Sequence, residues 1–209
     1  MTGNSLTQIR SIRWLFIALG ALLSGQAAAL ECEVSDPVYP EAYYPQVKFS
    51  TSQGDFVVEL NRRRAPVTVN NFLRYLAKGA YNNTIFHRVV ADFVVQGGGY
   101  HPDLADVEEL AAIVNESGNG LANQTRSIAM ARHDDPHSAT SQFFFNLQDN
   151  ESLNPNRRNW GYTVFGEVIE GWEVVEAIGA TETGFSDDLN ATDVPVTPVI
   201  LKSAVLQEP

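Results

Sequence analysis

The stretch from Ile85 to Gly99 reads IFHRVVADFVVQGGG and predicts a β-hairpin. Two apolar runs with the period of a strand flank a turn at Ala91-Asp92. His87, Arg88 and Gln96 stand where a plain barrel strand would carry valine or threonine. The hairpin therefore raises the question of whether these polar side chains are structural or belong to a site.

Other runs with a two-residue period predict six more strands. Two lie on either side of a Ser-Gln-Gly turn within VKFSTSQGDFVVEL (47–60). The others are SIAMAR (127–132), QFFFNL (142–147), YTVFGEV (162–168) and VTPVILKSAVL (196–206).

Two segments have a helical period instead. APVTVNNFLRYLAKG (65–79) has Pro66 in its first turn and Gly79 after its last, and GWEVVEAIGA (171–180) is a shorter helix. Many strands with two separated helices predict a mainly β fold, a closed eight-stranded antiparallel β-barrel with the two α-helices capping its ends.

The first 29 residues are typical of a secretory signal. Arg10 and Arg13 precede the apolar run WLFIALGALL (14–23), and Ala27-Ala28-Ala29 offers a cleavage site after Ala29. An uncleaved membrane anchor is the alternative, although the run is short. Residues 30–45 then predict an extended segment, and residues 46–209 the folded domain.

Composition limits the partners of the mature chain. The formal net charge is −11, and it becomes −13 without residues 1–29, which hold two arginines and no acid. Such a surface repels phosphate backbones, so we expect no nucleic acid partner. No other run approaches the roughly 20 apolar residues of a membrane span, so we expect no span in the mature chain. The sequence has no long apolar stripe beyond the core that would form an interface, so we expect a monomer. The single cysteine, Cys32, cannot form an internal disulfide.

Motifs for covalent or metal chemistry are not found in the predicted domain. It has no cysteine nucleophile and no Gly-x-Ser-x-Gly elbow, and Gly97 to Gly99 do not open a helix as a phosphate loop would. In HDDPH, His133 and His137 flank two aspartates, a pattern that a solvated acidic loop explains better than a metal. We predict neither a metal nor a cofactor.

Strand alternation alone does not assemble a site. It places His87 on one face and Arg88 on the other, which makes His87 a structural histidine. Phe93 and Gln96 cannot share a face unless the turn or a bulge re-aims one of them. Judged by residue type alone, Phe93, Met130 and Phe144 are core residues.

Several motifs in order resemble the cyclophilin family of peptidyl-prolyl isomerases, particularly the exported bacterial type. They are NNTIFHRV, FHRVVADFVVQGGG, NGL, SIAMAR, SATSQFFFNL and YTVFGEVIEGWEVV, and the resemblance runs in order from about Val47 to Val205. The resemblance implies an enzyme without cofactor that accelerates X-Pro isomerisation in proline-containing polypeptides, here unfolded or exported proteins. With the signal sequence it implies a periplasmic location, with secretion as the alternative.

The same resemblance implies roles for particular residues. Arg88 matches the catalytic arginine, which donates to the prolyl nitrogen of the twisted amide, and Gln96 and Phe93 match its catalytic neighbours. The matches for substrate binding are Met130, Ala131, Arg132, Gln142, Phe144, Leu153 and Tyr162. A proline-binding chaperone module with little turnover is the alternative function.

Two positions depart from many eukaryotic members of the family. Ser152 replaces a tryptophan beside the pocket leucine, so we expect weak cyclosporin binding, because an indole surface and its N–H donor are missing. Tyr162 replaces a histidine and keeps a polar ring in the wall of the pocket.

Overall fold

The structure, a computed structural model, describes residues 39–207. Its strands are β1 (Gln46–Thr51), β2 (Asp55–Leu60), β3 (Thr84–Val90), β4 (Val94–Gly97), β5 (Ser127–Met130), β6 (Phe143–Asn146), β7 (Val164–Glu170), β8 (Thr183–Ser186), β9 (Ala191–Pro195) and β10 (Ile200–Leu206). Its helices are α1 (Pro66–Ala77), α2 (Trp172–Gly179) and a single 3-10 turn at Glu151–Leu153.

Eight of these strands close into an antiparallel barrel. The order around the barrel is β1-β10-β3-β4-β6-β5-β7-β2, and β2 pairs back onto β1. This confirms the predicted fold class, a mainly β closed barrel of eight antiparallel strands with two helices.

A second, two-stranded sheet was not predicted. It is formed by β8 and β9, which pair with each other outside the barrel. Their sequences, TGFS and ATDVP, lack an alternating apolar face, and most of their side chains are partly or fully exposed. The last barrel strand, β10, begins at Ile200, four residues later than the run from Val196 indicates.

The helices bury the faces that their period predicts. In α1, Val69, Phe72 and Leu73 are buried, and Gly79 follows the helix with a positive φ of 68° that favours glycine. In α2, the buried apolar side chains include Trp172, Val175 and Ile178. Both helices pack into the same apolar cluster as the inner face of the barrel.

Aromatic rings fill the centre of that cluster. The Phe143 ring lies edge-on to four others, with centroid distances of 5.4 to 5.8 Å. The four partners are Phe49, Phe72, Tyr81 and Phe145. Such edge-to-face contacts add to the burial energy of the rings, so the interior is a packed core.

The segment before β1 is held against the barrel. Arg62 donates to the carbonyls of Tyr39 and Ala42, the second at 3.1 Å. The predicted signal peptide (1–29), residues 30–38 and Cys32 lie outside the described residues. Between residues 39 and 207, no helix is long and apolar enough to cross a membrane.

A β-bulge interrupts β3 at His87. Phe86 pairs with Gly97 and Arg88 pairs with Gln96, so His87 is an extra residue between the two pairs. Sequence alternation predicted His87 on the face opposite Arg88, but the bulge brings its ring beside the Gln142 side chain, and the prediction is corrected.

The imidazole of His87 is buried and held neutral. It is 8% exposed and packs edge-on to Tyr100 with ring centroids 4.9 Å apart. Burial, helped by the positive charge of Arg88, lowers the pKa of His87 to about 4, while Gln142 and the Ile85 backbone oppose the shift. Within residues 39–207 its Nδ1 atom has no hydrogen-bond partner.

His87 should make stability depend on pH between about 6.5 and about 4. In that window the imidazole binds a proton in the unfolded chain but not in the folded chain, so the free energy of unfolding falls as pH falls. The full loss is about 3 kcal/mol, and His87→Gln should remove this slope. Denaturant unfolding of both proteins at several pH values measures the difference. Exposed His133 is the matched control, since His133→Gln should retain the pH dependence of the wild type. If the free energy of unfolding depended on pH equally in the wild type and in His87→Gln, the assignment of this dependence to His87 would be wrong.

Candidate active site

One row of side chains crosses four strands on the outer face of the barrel. Arg88 on β3 pairs with Gln96 on β4, Gln96 pairs with Phe144 on β6, and Phe144 pairs with Ala129 on β5. Paired residues of neighbouring strands point to the same face of a sheet. The register therefore brings Arg88, Gln96 and Phe144 together, although they are far apart in sequence.

Hydrogen bonds fix the polar half of this row. Arg88 Nη1 donates to Gln96 Oε1 at 3.4 Å, and Gln96 Nε2 donates to Gln142 Oε1 at 2.9 Å. The two bonds set the orientation of the Gln96 amide. They also hold the half-buried guanidinium of Arg88, which carries five N–H donors, against the sheet.

Apolar side chains form the other half. A small cluster, separate from the barrel core, consists of buried Val94, Ala129, Phe144 and Val164 with partly buried Phe93, Leu121, Ala131, Leu153 and Tyr162. The Tyr162 ring lies edge-on to Phe144 with centroids 5.5 Å apart. We call these nine residues the outer apolar cluster. They offer a dry surface beside a fixed cationic donor.

The turn between β3 and β4 brings Phe93 into the cluster. Asp92 has a left-handed φ of 56°, and the Phe93 amide donates back to the Val90 carbonyl at 3.0 Å. Because Phe93 belongs to the turn and not to β4, strict alternation does not govern it. Phe93 and Gln96 thus both reach the outer face, which the sequence left open.

Met130 does not join the outer apolar cluster, and its expected place in the pocket is corrected. It pairs with Phe143, and both side chains lie in the barrel core. Its neighbour Ala129 faces outward instead. Val94 was missed: it lies two residues before Gln96 on the same face, so alternation was the signal that could have found it.

Arg132 uses its side chain differently from Ala131. Its guanidinium donates to the carbonyls of Trp160 at 2.9 Å and Gly161 at 3.4 Å, and lies 4.7 Å from the centroid of the Tyr162 ring. This cation–π contact and the two hydrogen bonds connect the loop after β5 to the loop before β7. Arg132 therefore supports Tyr162, one wall of the cluster.

A groove adjoins the polar row. It has a volume of about 120 Å³, and its lining includes Gln96, Gln142, Ala131 and Arg132. A groove of about 150 Å³ next to Glu59 and Glu167 is larger, but none of the predicted site residues lines it. Size alone therefore does not select a site, and we take the place where Arg88, two glutamines and the apolar cluster converge as the candidate site.

Of the two positions that depart from the family pattern, Tyr162 belongs to the outer apolar cluster, and Ser152 lies beside its member Leu153 in the sequence. Ser152 is exposed and stands next to Leu153 in the 3-10 turn. Trp160 is 52% exposed, and its ring lies edge-on to His137 at 5.1 Å between centroids. Among the described residues, no group of three or more His, Cys, Asp or Glu side chains could hold a metal ion.

Known proteins resemble the chain over nearly the whole barrel. The family model described as cyclophilin type peptidyl-prolyl cis-trans isomerase/CLD matches residues 46–205. A peptidyl-prolyl cis-trans isomerase of Streptomyces antibioticus is 52% identical over 161 residues, covering 76% of this chain and 96% of that protein.

Solved structures agree with this match. A cyclophilin type peptidyl-prolyl cis-trans isomerase of Cryptosporidium parvum superposes with a TM-score of 0.65 at 27% identity, covering 80% of this chain and 99% of that chain. A second crystal structure of the same protein, in the presence of the dipeptide Ala-Pro, has a TM-score of 0.64 and covers 78% and 99%. The chain belongs to the cyclophilin-type peptidyl-prolyl cis-trans isomerases.

Proposed function

We propose that this protein accelerates the cis-trans isomerisation of X-Pro bonds in proline-containing polypeptides. The observation that carries the proposal is the fixed guanidinium of Arg88, bonded to Gln96 at 3.4 Å beside the outer apolar cluster. Family membership and the Ala-Pro dipeptide named with the Cryptosporidium parvum structure support the same substrate class.

The chemistry of the reaction suits these residues. An X-Pro bond prefers trans by only about 0.5 to 1 kcal/mol, but its rotation barrier is roughly 20 kcal/mol. The barrier is the loss of amide resonance, and no bond is made or broken. In the twisted transition state the prolyl nitrogen regains a lone pair and accepts hydrogen bonds, so a donor aimed at it stabilises the transition state more than either ground state.

Each part of the site then has a role. Arg88 donates a guanidinium N–H to the prolyl nitrogen. The outer apolar cluster holds the proline ring and excludes water, with Phe93, Phe144, Leu153 and Tyr162 as its walls. Gln96 and Gln142 orient the peptide carbonyls. If the site as a whole lowers the rotation barrier by about 7 kcal/mol, the reaction is accelerated roughly 10⁵-fold.

Replacing Arg88 tests the donor. Arg88→Ala should lower kcat/KM for an Ala-Pro test peptide by about 10²- to 10³-fold, because the donor to the prolyl nitrogen is lost. A coupled isomerase assay measures the rate, with circular dichroism as a check of the fold. Arg63→Ala is the matched control, since Arg63 is exposed between β2 and α1 and packs on Tyr43.

Two outcomes would contradict the proposal. An Arg88→Ala enzyme with the wild-type rate would refute the donor role. A wild-type protein that binds a proline peptide, loses binding in Phe144→Ala and shows no exchange broadening of the bound peptide would be a binding module with little turnover instead.

We further propose that the protein is exported and acts on exported or unfolded proteins in the periplasm, with secretion as the alternative. The support is the basic flank, apolar run and Ala27-Ala28-Ala29 site of residues 1–29. The mature chain would then comprise an extended segment (30–45) and the isomerase domain (46–209).

Processing can be measured directly. Expression of the full chain in a Gram-negative host should give a periplasmic protein that begins at Leu30, because small residues at 27 and 29 fit a signal peptidase. Mass spectrometry of the intact protein reports the terminus. Ala29→Arg should block cleavage, whereas Ser24→Ala, before the cleavage motif, should not. A wild-type protein that retains Met1 in the membrane fraction would favour an uncleaved anchor.

We also propose that cyclosporin binds weakly, because Ser152 next to Leu153 offers no indole surface and no N–H donor. Ser152→Trp should tighten cyclosporin binding by about tenfold or more, as measured by calorimetry. Ser152→Ala is the control and should leave the weak binding unchanged. Tight binding by the wild type would refute the proposal.

A further inference from the structure

A chain of buried amide hydrogen bonds lies next to the outer apolar cluster. Asn150 Nδ2 donates to Asn146 Oδ1 at 2.7 Å, and Asn146 Nδ2 donates to Asn123 Oδ1 at 3.2 Å and to Ser127 Oγ at 2.9 Å. The three asparagines are at most 4% exposed. We call Asn123, Asn146 and Asn150 the asparagine network.

Both ends of the network bond to the backbone of the proposed proline pocket. At one end, Asn150 Nδ2 donates to the Phe93 carbonyl at 3.0 Å. At the other, Asn123 Nδ2 donates to the carbonyls of Leu153 at 3.2 Å and Tyr162 at 3.4 Å. Three walls of the pocket, one from the β3–β4 turn and two from the connection between β6 and β7, are thus tied to one set of side chains.

Backbone bonds join the same segments. The Asn150 amide donates to the Asn123 carbonyl at 2.8 Å, and the Leu153 amide to the Asn150 carbonyl at 3.0 Å. The Tyr162 amide donates to the Leu153 carbonyl at 3.0 Å. A shift of any one asparagine would therefore be transmitted to more than one wall.

The side-chain amides of the network donate in one direction: Asn150 donates to Asn146, and Asn146 donates to Asn123. The Oδ1 atoms of Asn146 and Asn123 each accept from the preceding amide, and each Nδ2 has acceptors for both protons. Buried polar groups are costly when unsatisfied, and a fully satisfied network permits few alternative geometries. Apolar residues could fill this space without fixing where the carbonyls of Phe93, Leu153 and Tyr162 lie.

We propose that Asn123, Asn146 and Asn150 are positioning residues that fix the walls of the proline pocket. None of them touches the substrate; they act through Phe93, Leu153 and Tyr162. The inference rests on the proposed isomerase function. It predicts a defect in substrate binding, in contrast to the loss of turnover expected when the Arg88 donor is removed.

The distinguishing measurement is the separation of KM from kcat. Asn150→Ala removes both donated bonds and should raise KM for an Ala-Pro test peptide about tenfold, with kcat changed less than about twofold. A merely structural role gives the opposite result, because partial unfolding reduces the amount of active enzyme and lowers kcat without changing KM.

Thr84 offers a matched control. Its buried hydroxyl donates to the Tyr81 carbonyl at 2.8 Å at the start of β3, and Thr84 belongs neither to the outer apolar cluster nor to the asparagine network. Thr84→Val loses one buried hydrogen bond of comparable kind, so it should lower stability and leave KM unchanged. A wild-type KM in Asn150→Ala, or an equal rise in Thr84→Val, would overturn the proposal.

A second measurement needs no variant, in case Asn150→Ala does not fold. Binding of the Ala-Pro peptide to the wild type should shift the side-chain amide resonances of Asn150 and Asn123, and leave those of Gln46, which donates to Glu59, in place. Unshifted asparagine amides in the saturated complex would overturn the proposal. If the wild type shows no turnover, the proposed isomerase function is wrong. The positioning role is then tested on binding alone, by comparing the dissociation constant of the peptide in Asn150→Ala with that in Thr84→Val.

Discussion

The register between β4 and β6 is the constraint on which both the core and the site depend. Val95 lies opposite Phe145 and Gln96 lies opposite Phe144. Because side chains alternate between the two faces, the first pair lies in the barrel core and the second belongs to the candidate site on the outer face. A slip of one residue would exchange the two sets, so the packing of Phe143 and Phe145 in the core also holds Phe144 on the outer face.

Two local departures from regular strand geometry shape the candidate site. The bulge at His87 sets the pairing of Arg88 with Gln96, and the left-handed turn at Asp92 brings Phe93 into the outer apolar cluster. Gly98 ends the hairpin with a φ of 80°, where a Cβ would stand 2.8 Å from the Phe143 ring. Glycine at this point lets the chain turn directly over the aromatic core.

The sequence predicted the barrel well, because an apolar run of strand length marks every barrel strand and a period of 3.6 marks both helices. It did not predict β8 and β9, whose pairing depends on backbone bonds between mostly exposed segments. The site needed the resemblance to a family, since register across four strands is a tertiary property. Even then Met130 was assigned to the pocket. Neighbouring residues of a strand point to opposite faces, so Met130 points into the core while Ala129 points outward. The asparagine network was not anticipated, because its bonds join residues up to 57 positions apart.

Separation of the two faces explains how one thin sheet can serve stability and chemistry together. Inside, the packed phenylalanine rings need no polar partner and tolerate little change of volume, and the hydroxyl of Tyr81 donates to the Ser141 carbonyl at 3.0 Å. Outside, the guanidinium of Arg88 must stay close to water-excluding side chains without being buried among them, since full burial of a charge is costly. Arg88 donates to Gln96, and Gln96 donates to Gln142. These bonds hold the cation at the edge of the apolar cluster, so it lies beside apolar side chains without being fully buried. A donor whose position the sheet already sets needs little reorganisation when a ligand binds beside it.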